Sequence, residues 1–344
     1  MISKPSTGKI GLLVFLGCTL LTPAFLAGVS PLTRPVVHSP ALGSAIRLWA
    51  HLSRQDLWYT EAGPPDRRAA PGAVFFSLWK SSLANPQGGN RIADLGYSFA
   101  HPLLDSKRQV VWYAQRVSDS NRDGVIDEQD GLSIIRLDLA RNRPETVTDR
   151  DEISWPLSLD PNTGRILAVV DGYYAILEAD DGDIDERLAR FDSRTSRGSR
   201  PFFDTHGKPW LFFEDAPALA ITRNALSPGQ PTVLANPAAR VSIQIVTTGR
   251  KPHFRINAPD SKAVEVPFDH GLWPLSIIDT TRIIWIDRGR IFAADHHQKR
   301  HEPLVLLPSN LLAAFVNPTE PGSIAWLHGS ATGYASLGAA HWGQ

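Results

Sequence analysis

Short apolar runs separated by turn residues recur along the chain from about residue 45 to its end. In each copy an apolar approach, often with a Pro, leads to an Asp and a tight turn, and a β-branched or aromatic run follows. The clearest copies occupy residues 101–114, 155–170, 200–213 and 273–286. Apolar runs of this length between clusters of Gly, Pro, Asn and Asp are typical of β-strands. The pattern therefore predicts an all-β chain.

The spacing of the turns predicts how these strands are arranged. The turn residues stand at positions 56, 105, 160, 204, 249, 279 and 317. Once an insertion after the second turn is subtracted, they repeat every 40 residues or so, roughly the length of a propeller repeat. Several short strands per repeat are typical of a β-propeller, in which four-stranded blades pack around a central axis. We predict seven blades, or six if the degenerate first and last copies combine, with residues 333–337 closing the ring against the N-terminus.

The insertion carries the most specific chemical signal in the chain. Oxygen-bearing groups fill every ligand position of a calcium loop of the EF-hand kind, with a glycine at its sixth position. The predicted ligands are Asp119, Asn121, Asp123, the backbone carbonyl of Val125, Asp127 and Asp130. Gly124 supplies the sharp turn, which requires a residue without a Cβ. Hard oxygen ligands predict Ca²⁺ as the cofactor, bound with a dissociation constant on the order of 10⁻⁴ to 10⁻³ M.

Two features distinguish this insertion from a calcium sensor built of two helices. Its last ligand position holds an Asp, where the EF-hand pattern has a bidentate Glu. Its flanks read as strands, because residues 110–114 are β-branched and aromatic while Ile135, Leu137 and Leu139 alternate with polar residues. The loop is therefore predicted to join the two strands of a hairpin, where a bound ion would stiffen one blade. The alternative is a solvated acidic turn without an ion.

Two segments resemble known families. The turns at residues 160–165 and 204–208 resemble the TolB-type propeller repeat, and the likeness extends in degenerate form over most of residues 45–340. The loop at residues 119–130 resembles the calcium loops of dockerins, which also carry Asp at the last ligand position. Because propellers of the TolB group can carry such a loop inside a blade, the resemblance implies that placement here. It implies a fold without a particular function, since propellers serve binding and catalysis alike.

The first 30 residues have the composition of a targeting segment. Lys4 and Lys9 precede an almost wholly apolar stretch, residues 10–29. Three interpretations remain open, namely a cleaved signal peptide, an uncleaved membrane anchor, and a lipoprotein signal centred on Cys18. All three place the body of the protein outside the cytoplasm, in the periplasm or cell envelope. The Pro-containing residues 31–44 are predicted to be a linker, and residues 45–344 the propeller.

Charge and cysteine content narrow the choice of partners. The chain has 35 basic and 35 acidic residues, and removal of residues 1–30 takes away two lysines and leaves a net charge of −2. A nucleic-acid partner would require a basic face, so we expect none. Cys18 is the only cysteine, so the exported body has no disulfide and depends on its apolar core.

No catalytic motif stands out in the sequence. It lacks a Gly-x-Ser-x-Gly elbow, a phosphate-binding glycine loop and a His-Glu-x-x-His zinc motif. The residues that precede the repeated prolines are His101, Trp155, Arg200 and Trp273. If the Pro segments form inner strands, these side chains ring one mouth of the central channel and suit a sugar, a peptide or a charged small molecule. The alternative is that the tryptophans pack between blades.

Three hypotheses of function follow. In the first, the chain is a non-catalytic propeller that binds a protein or a small ligand at one face and uses calcium to stiffen a blade. In the second, it is a hydrolase of glycans or peptides with carboxylates gathered in the channel. The third is a structural role in the envelope, with residues 10–29 retained as an anchor. Buried carboxylates about 5 to 10 Å apart in the channel would indicate the enzyme, whereas an apolar, aromatic channel would indicate binding.

Overall fold

The structure is a computed structural model. It describes residues 36–38, 49–53, 56–63, 75–82, 85–96, 98–116, 119–127, 129–149, 152–248, 251–259, 261–268, 272–277, 280, 282–287, 290–295, 300–305, 311–316, 323–329 and 335–341. The predicted signal or anchor segment, residues 10–29, lies outside these residues. Within the described ranges, no helix has both the length and the apolar character needed to cross a membrane.

The described residues form seven four-stranded antiparallel sheets and one short helix, α1 (Ser193–Ser196). Sheets 1 to 3 contain, in order, β2 (Ala50–Ser53), β3 (Asp56–Gly63), β4 (Phe75–Ser82) and β5 (Asn85–Gly96); β6 (Ser98–Asp105), β7 (Val110–Gln115), β8 (Ser133–Asp138) and β9 (Arg143–Thr146); and β10 (Trp155–Leu159), β11 (Ile166–Val170), β12 (Tyr173–Leu177) and β13 (Ile184–Arg190). Sheets 4 and 5 contain β14 (Arg200–Phe203), β15 (Pro209–Phe212), β16 (Leu219–Ile221) and β17 (Leu226–Pro228), then β18 (Thr232–Asn236), β19 (Val241–Thr248), β20 (Lys251–Asn257) and β21 (Val264–Pro267). Sheet 6 contains β22 (Trp273–Ile277), β23 (Arg282–Asp287), β24 (Arg290–Asp295) and β25 (Arg300–Val305), and sheet 7 contains β26 (Leu311–Val316), β27 (Ser323–Gly329), β28 (Ala335–His341) and β1 (Val36–His38).

Sheet 7 unites the two ends of the described chain. In sheets 1 to 6 the strands pair in the order of the sequence, whereas in sheet 7 the N-terminal β1 pairs with β28, with Val36 opposite His341. The structure thus differs from the predicted linker at residues 31–44, because residues 36–38 belong to a sheet. A strand of three residues is too short to give an alternating pattern, which is why the sequence did not reveal it.

Each central strand is buried on both of its faces, and sheet 3 illustrates why its sequence is a continuous apolar run. All five residues of β11 are buried. Ile166, Ala168 and Val170 pack toward Trp112 of sheet 2. Leu167 and Val169 point the other way and pack against sheet 4. Successive side chains on a strand point to opposite faces, so a sheet between two neighbours needs apolar residues at every position.

Similar clusters join other pairs of sheets. Ala50 and Leu52 of β2 pack with Ala325 and Leu327 of β27, which places sheet 1 against sheet 7. A larger cluster joins sheets 1 and 2, and another spans sheets 4, 5 and 6. Four-stranded sheets that pack face to face in sequence order, with the ends of the chain in one sheet, form a β-propeller. The predicted all-β propeller fold is confirmed.

The recurring Asp of the sequence repeat closes the turn after each inner strand. Asp160 is fully buried, and its carboxylate accepts hydrogen bonds from the backbone amide of Asn162 at 3.0 Å and the Thr163 hydroxyl at 2.6 Å. Asp105 accepts bonds from two amides of its own turn and from the guanidinium of Arg108. Asp204 accepts bonds from two turn amides and from the indole of Trp210.

The recurring Gly of the repeat fits the turn against the sheet before it. Gly164 has a φ of +78°, and a Cβ at this position would overlap the Arg108 guanidinium of sheet 2. Gly207 repeats the arrangement one sheet later, where a Cβ would lie 3.0 Å from the Asp160 carboxylate. Glycine is required at both positions by its positive φ and by the neighbouring sheet. The Asp-to-Gly motif therefore joins one sheet to the next.

Candidate functional site

The inner strands of sheets 1 to 6 surround a cavity of about 640 Å³. The lining residues come from β6, β10, β14, β18 and β22 and from the start of sheet 1, including Trp49. In β10 and β22 the pairing register shifts directly after Pro156 and Pro274, which is where a β-bulge places an unpaired residue. Proline is tolerated there because the inner strand is an edge strand whose free side faces the axis.

The cavity wall is apolar apart from four side chains. Most lining residues are Leu, Phe, Trp, Pro, Val, Ile or Ala, and none of the described ones is Asp, Glu, Lys or Arg. The polar lining residues are His51, Ser158, Asn236 and Ser276. Two hydrogen bonds occupy Asn236, which donates to the Ile277 carbonyl at 3.2 Å and accepts from the Ala239 amide at 3.1 Å. The wall therefore offers few polar groups to a ligand.

His51 is the titratable side chain of this wall, among the residues that the structure describes. It lies on β2, is 5% exposed, and stacks on the Trp49 ring with centroids 5.8 Å apart. Its Nε2 is buried and has no hydrogen-bond partner among the described residues. Burial lowers the pKa of His51 to about 4, so the ring is neutral at pH 7.

His51 is absent from the residues that the sequence singled out. It lies in the apolar approach of the first, degenerate repeat, just before the turn at residues 53–56. The approach segments of the better copies are the inner strands, so alignment of this copy with them would have placed His51 in the channel.

Two of the four predicted channel residues, Arg200 and Trp273, lie together. The Arg200 guanidinium stands 4.5 Å from the centre of the Trp273 ring, a cation–π contact. Trp273 also lines the cavity and meets Phe202, Phe212 and Phe254 edge to face, with centroids 5.0 to 5.9 Å apart. Arg200 keeps an exposed surface, yet desolvation by the packed atoms around it lowers its pKa. Trp273 is thus both a cavity residue and a packing residue.

The other two predicted channel residues lie elsewhere. Trp155 meets Phe191 edge to face at 5.3 Å and packs against the cluster between sheets 3 and 4. It is not among the described residues that line the cavity. His101 lies in β6, the inner strand of sheet 2.

The acidic loop joins β7 to β8, whose ends pair through Gln115 and Ser133. The strands on either side agree with the predicted hairpin insertion. Gly124 has a φ of +90°, as the predicted turn requires. Asp119 accepts hydrogen bonds from the amides of Asp123 at 3.1 Å and Gly124 at 2.7 Å.

The other loop ligands make similar local bonds. Asn121 accepts a bond from the Asp123 amide at 2.9 Å, and Asp123 from the Val125 amide at 2.8 Å. Asp127 accepts a bond from the Gln129 amide at 2.8 Å. These carboxylates are held by the backbone of their own loop and have no ion pair with any described basic side chain. The loop therefore concentrates negative charge without a neutralising partner from the described residues.

Asp130, the predicted last ligand, is fully buried at the base of the loop. One carboxylate oxygen accepts from the Ser120 amide at 2.7 Å and the Asn121 amide at 3.3 Å, and the other from the Asp127 amide at 2.8 Å. Burial acts to raise the pKa of Asp130, but these hydrogen bonds outweigh it and hold the pKa below its ordinary value. In the described residues no group of three or more His, Cys, Asp or Glu converges closely enough to hold a metal ion. Calcium thus remains a prediction of the sequence.

Solved propellers share this fold. The chain superposes on the β-propeller domain of the Trilobed protease from Pyrococcus furiosus, which has an open velcro topology, with a TM-score of 0.52 at 8% identity over 87% of this chain and 94% of that one. It superposes on the acylaminoacyl peptidase of Pyrococcus horikoshii with a TM-score of 0.53 at 9% identity, over 88% of this chain and 52% of that one. The chain therefore spans about half the length of that peptidase. Identities this low establish the fold alone.

A TolB from Acinetobacter baumannii also matches, over 62% of this chain and 51% of that one at 14% identity, but its TM-score of 0.33 is too low to carry an argument. No family model matches the sequence, and no curated protein matches it. The comparisons thus place the chain among the β-propellers.

Proposed function

We propose that this chain is a non-catalytic binding propeller whose central cavity takes an apolar ligand or an apolar group of a protein partner. The cavity carries the proposal, because its volume of about 640 Å³ lies within the range of small-molecule sites. Its described wall is aliphatic and aromatic, whereas a glycan hydrolase would need a pair of carboxylates there. The peptidase propellers share the fold with this chain, and the wall chemistry favours binding over hydrolysis.

The driving force would be removal of apolar surface from water. A ligand that buries about 300 Å² of apolar surface gains roughly 7 kcal/mol before the loss of its translational and rotational freedom. We therefore expect dissociation constants between about 1 μM and 1 mM.

The test is binding of pyrene, followed by its fluorescence, to the wild type and to two variants. Leu157→Trp fills the cavity from β10 with a larger side chain, and we expect it to weaken pyrene binding at least about tenfold. Ile184→Trp makes the same kind of change on the outer strand of the same sheet, where Ile184 is 42% exposed, and serves as the control. Equal binding by all three proteins, or none by the wild type, contradicts the proposal.

We also propose that the loop at residues 119–130 binds Ca²⁺ and so stiffens sheet 2. The support is the complete set of oxygen ligands at EF-hand spacing, the positive φ of Gly124, and the carboxylates without a basic partner in the described residues. A site with the predicted affinity adds roughly 1.5 to 3 kcal/mol of stability at 10 mM calcium.

Thermal unfolding with 10 mM calcium or with a chelator tests this proposal. We expect calcium to raise the melting temperature by several degrees and Asp123→Ala to abolish the rise. Asp181→Ala, which removes an exposed carboxylate of the turn after β12, should keep it. A melting curve that does not respond to the chelator contradicts calcium binding.

Export through residues 1–30 completes the proposal, since millimolar calcium outside the cytoplasm would fill a weak site. Residues 1–44 fused to alkaline phosphatase, which folds to an active form only after export, should give activity in whole cells. The same fusion without residues 10–29 is the control and should be inactive. Equal activity of the two fusions contradicts export through this segment.

A further inference from the structure

The buried imidazole of His51 gives the cavity a single chemical preference. An unpartnered buried nitrogen is uncommon in folded proteins, because leaving a polar group without a hydrogen bond costs about 1 to 3 kcal/mol. The Nε2 of His51 is such an atom among the described residues, and its ring belongs to the cavity wall. Stacking on Trp49 fixes the plane of the ring. A group bound in the cavity would satisfy this nitrogen.

The charge of the wall limits what that group can be. None of the described lining side chains carries a charge, and the His51 ring is neutral above about pH 4. A charged ligand would leave water without an opposite charge to meet it, which is costly in an apolar site. A neutral imidazole has one donor and one acceptor nitrogen, and a hydroxyl can pair with either.

We propose that the cavity binds an uncharged, mainly apolar molecule whose hydroxyl group hydrogen bonds to His51. This inference rests on the proposed binding function and specifies the class of ligand. The hydroxyl restores the missing bond of Nε2, and the apolar body contacts the aromatic and aliphatic side chains around it. Trp49 and Trp273 present flat aromatic surfaces on the same wall, which suits a ligand with fused rings.

Three fluorescent probes of the same shape separate these features, namely pyrene, 1-hydroxypyrene and 1-pyrenecarboxylate. In wild-type protein at pH 7, we expect 1-hydroxypyrene to bind about three- to tenfold more tightly than pyrene, the value of one net hydrogen bond. We expect 1-pyrenecarboxylate to bind at least about tenfold more weakly than 1-hydroxypyrene, because its charge is buried without a partner.

Variants of the wall assign the preference to His51. His51→Phe keeps an aromatic ring beside Trp49 and removes both nitrogens, so 1-hydroxypyrene should fall to the affinity of pyrene while pyrene itself changes less than about twofold. Ser276→Ala removes another buried polar group of the wall and should leave the preference intact. Should His51→Phe fail to fold, the wild-type order of the three probes still tests the class of ligand.

The outcomes separate this inference from the proposed function. Pyrene binding that Leu157→Trp blocks, without any gain from the hydroxyl, would overturn the hydroxyl preference and leave cavity binding intact; a bound water would then satisfy His51. Tighter binding of the carboxylate would also overturn it. Binding of no probe would overturn both. A preference for the hydroxyl that His51→Phe removes and Ser276→Ala retains supports both.

Discussion

The turns after the inner strands and the loop at residues 119–130 are both rich in Asp and both contain a glycine of positive φ, yet they use these residues differently. In the turns, Asp105, Asp160 and Asp204 are buried, and each accepts bonds from its own turn and from a side chain such as Arg108. In the loop, the carboxylates of Asp119, Asp123 and Asp127 accept bonds only from backbone amides. Similar residues thus serve a structural contact in one place and leave charge available in the other.

This difference shows what to look for in an acidic segment. A carboxylate that is saturated by donors and packed against the next sheet contributes to stability and has little capacity left for a ligand. A set of carboxylates that converges without basic partners repels itself, and a cation would relieve that repulsion. The turn should therefore be sensitive to mutation in any buffer, whereas the loop should be sensitive mainly when calcium is present.

The largest effect is expected from Asp160→Ala. The substitution leaves the Asn162 amide and the Thr163 hydroxyl without their acceptor and removes a fully buried carboxylate, so we expect a loss of about 4 kcal/mol. Asp123→Ala in chelator should change the stability by less than about 1 kcal/mol, because Asp123 is exposed. Urea unfolding followed by Trp fluorescence measures both. Similar losses in the two variants would mean that the turn and the loop do not differ as described.

A smaller effect is expected from Gly164→Ala, with Gly124→Ala as its match in the loop. Both glycines have a positive φ, which costs an Ala about 1 to 2 kcal/mol. Only Gly164 is crowded by the neighbouring sheet, since a Cβ at Gly124 meets nothing within 4 Å. We therefore expect a loss of about 2 to 3 kcal/mol for Gly164→Ala and about 1 kcal/mol for Gly124→Ala in chelator. Equal losses would indicate that Arg108 moves aside without cost.

The sequence predicted the parts of the molecule that repeat within one sheet. The Asp at 160 and the Gly at 164 gave the turn, and the run after them gave β11, because these features depend on neighbours in the chain. Contacts between sheets were beyond its reach. The approach of Arg108 to Gly164 joins residues of different repeats, and the contact of Arg200 with Trp273 spans sheets 4 and 6. His51 was missed for the same reason, since a single His in a degenerate repeat gains meaning only when the inner strands meet around the cavity.

The smallest effect concerns Asp130, where the two kinds of acidic segment meet, because it is a loop residue that is buried like a turn residue. Its pKa lies below the ordinary value in the folded chain, so the unfolded chain takes up a proton first as the pH falls. The stability that Asp130 contributes is thus present above about pH 4 and is lost as the pH falls through the folded-state pKa. Asp130→Asn should lower the melting temperature at pH 7 in chelator, and the difference from wild type should shrink below pH 4. Asp180→Asn, at an exposed position, controls for the loss of one surface charge. A difference that stays constant with pH would mean that the carboxylate form of Asp130 is not what the Ser120, Asn121 and Asp127 amides stabilise.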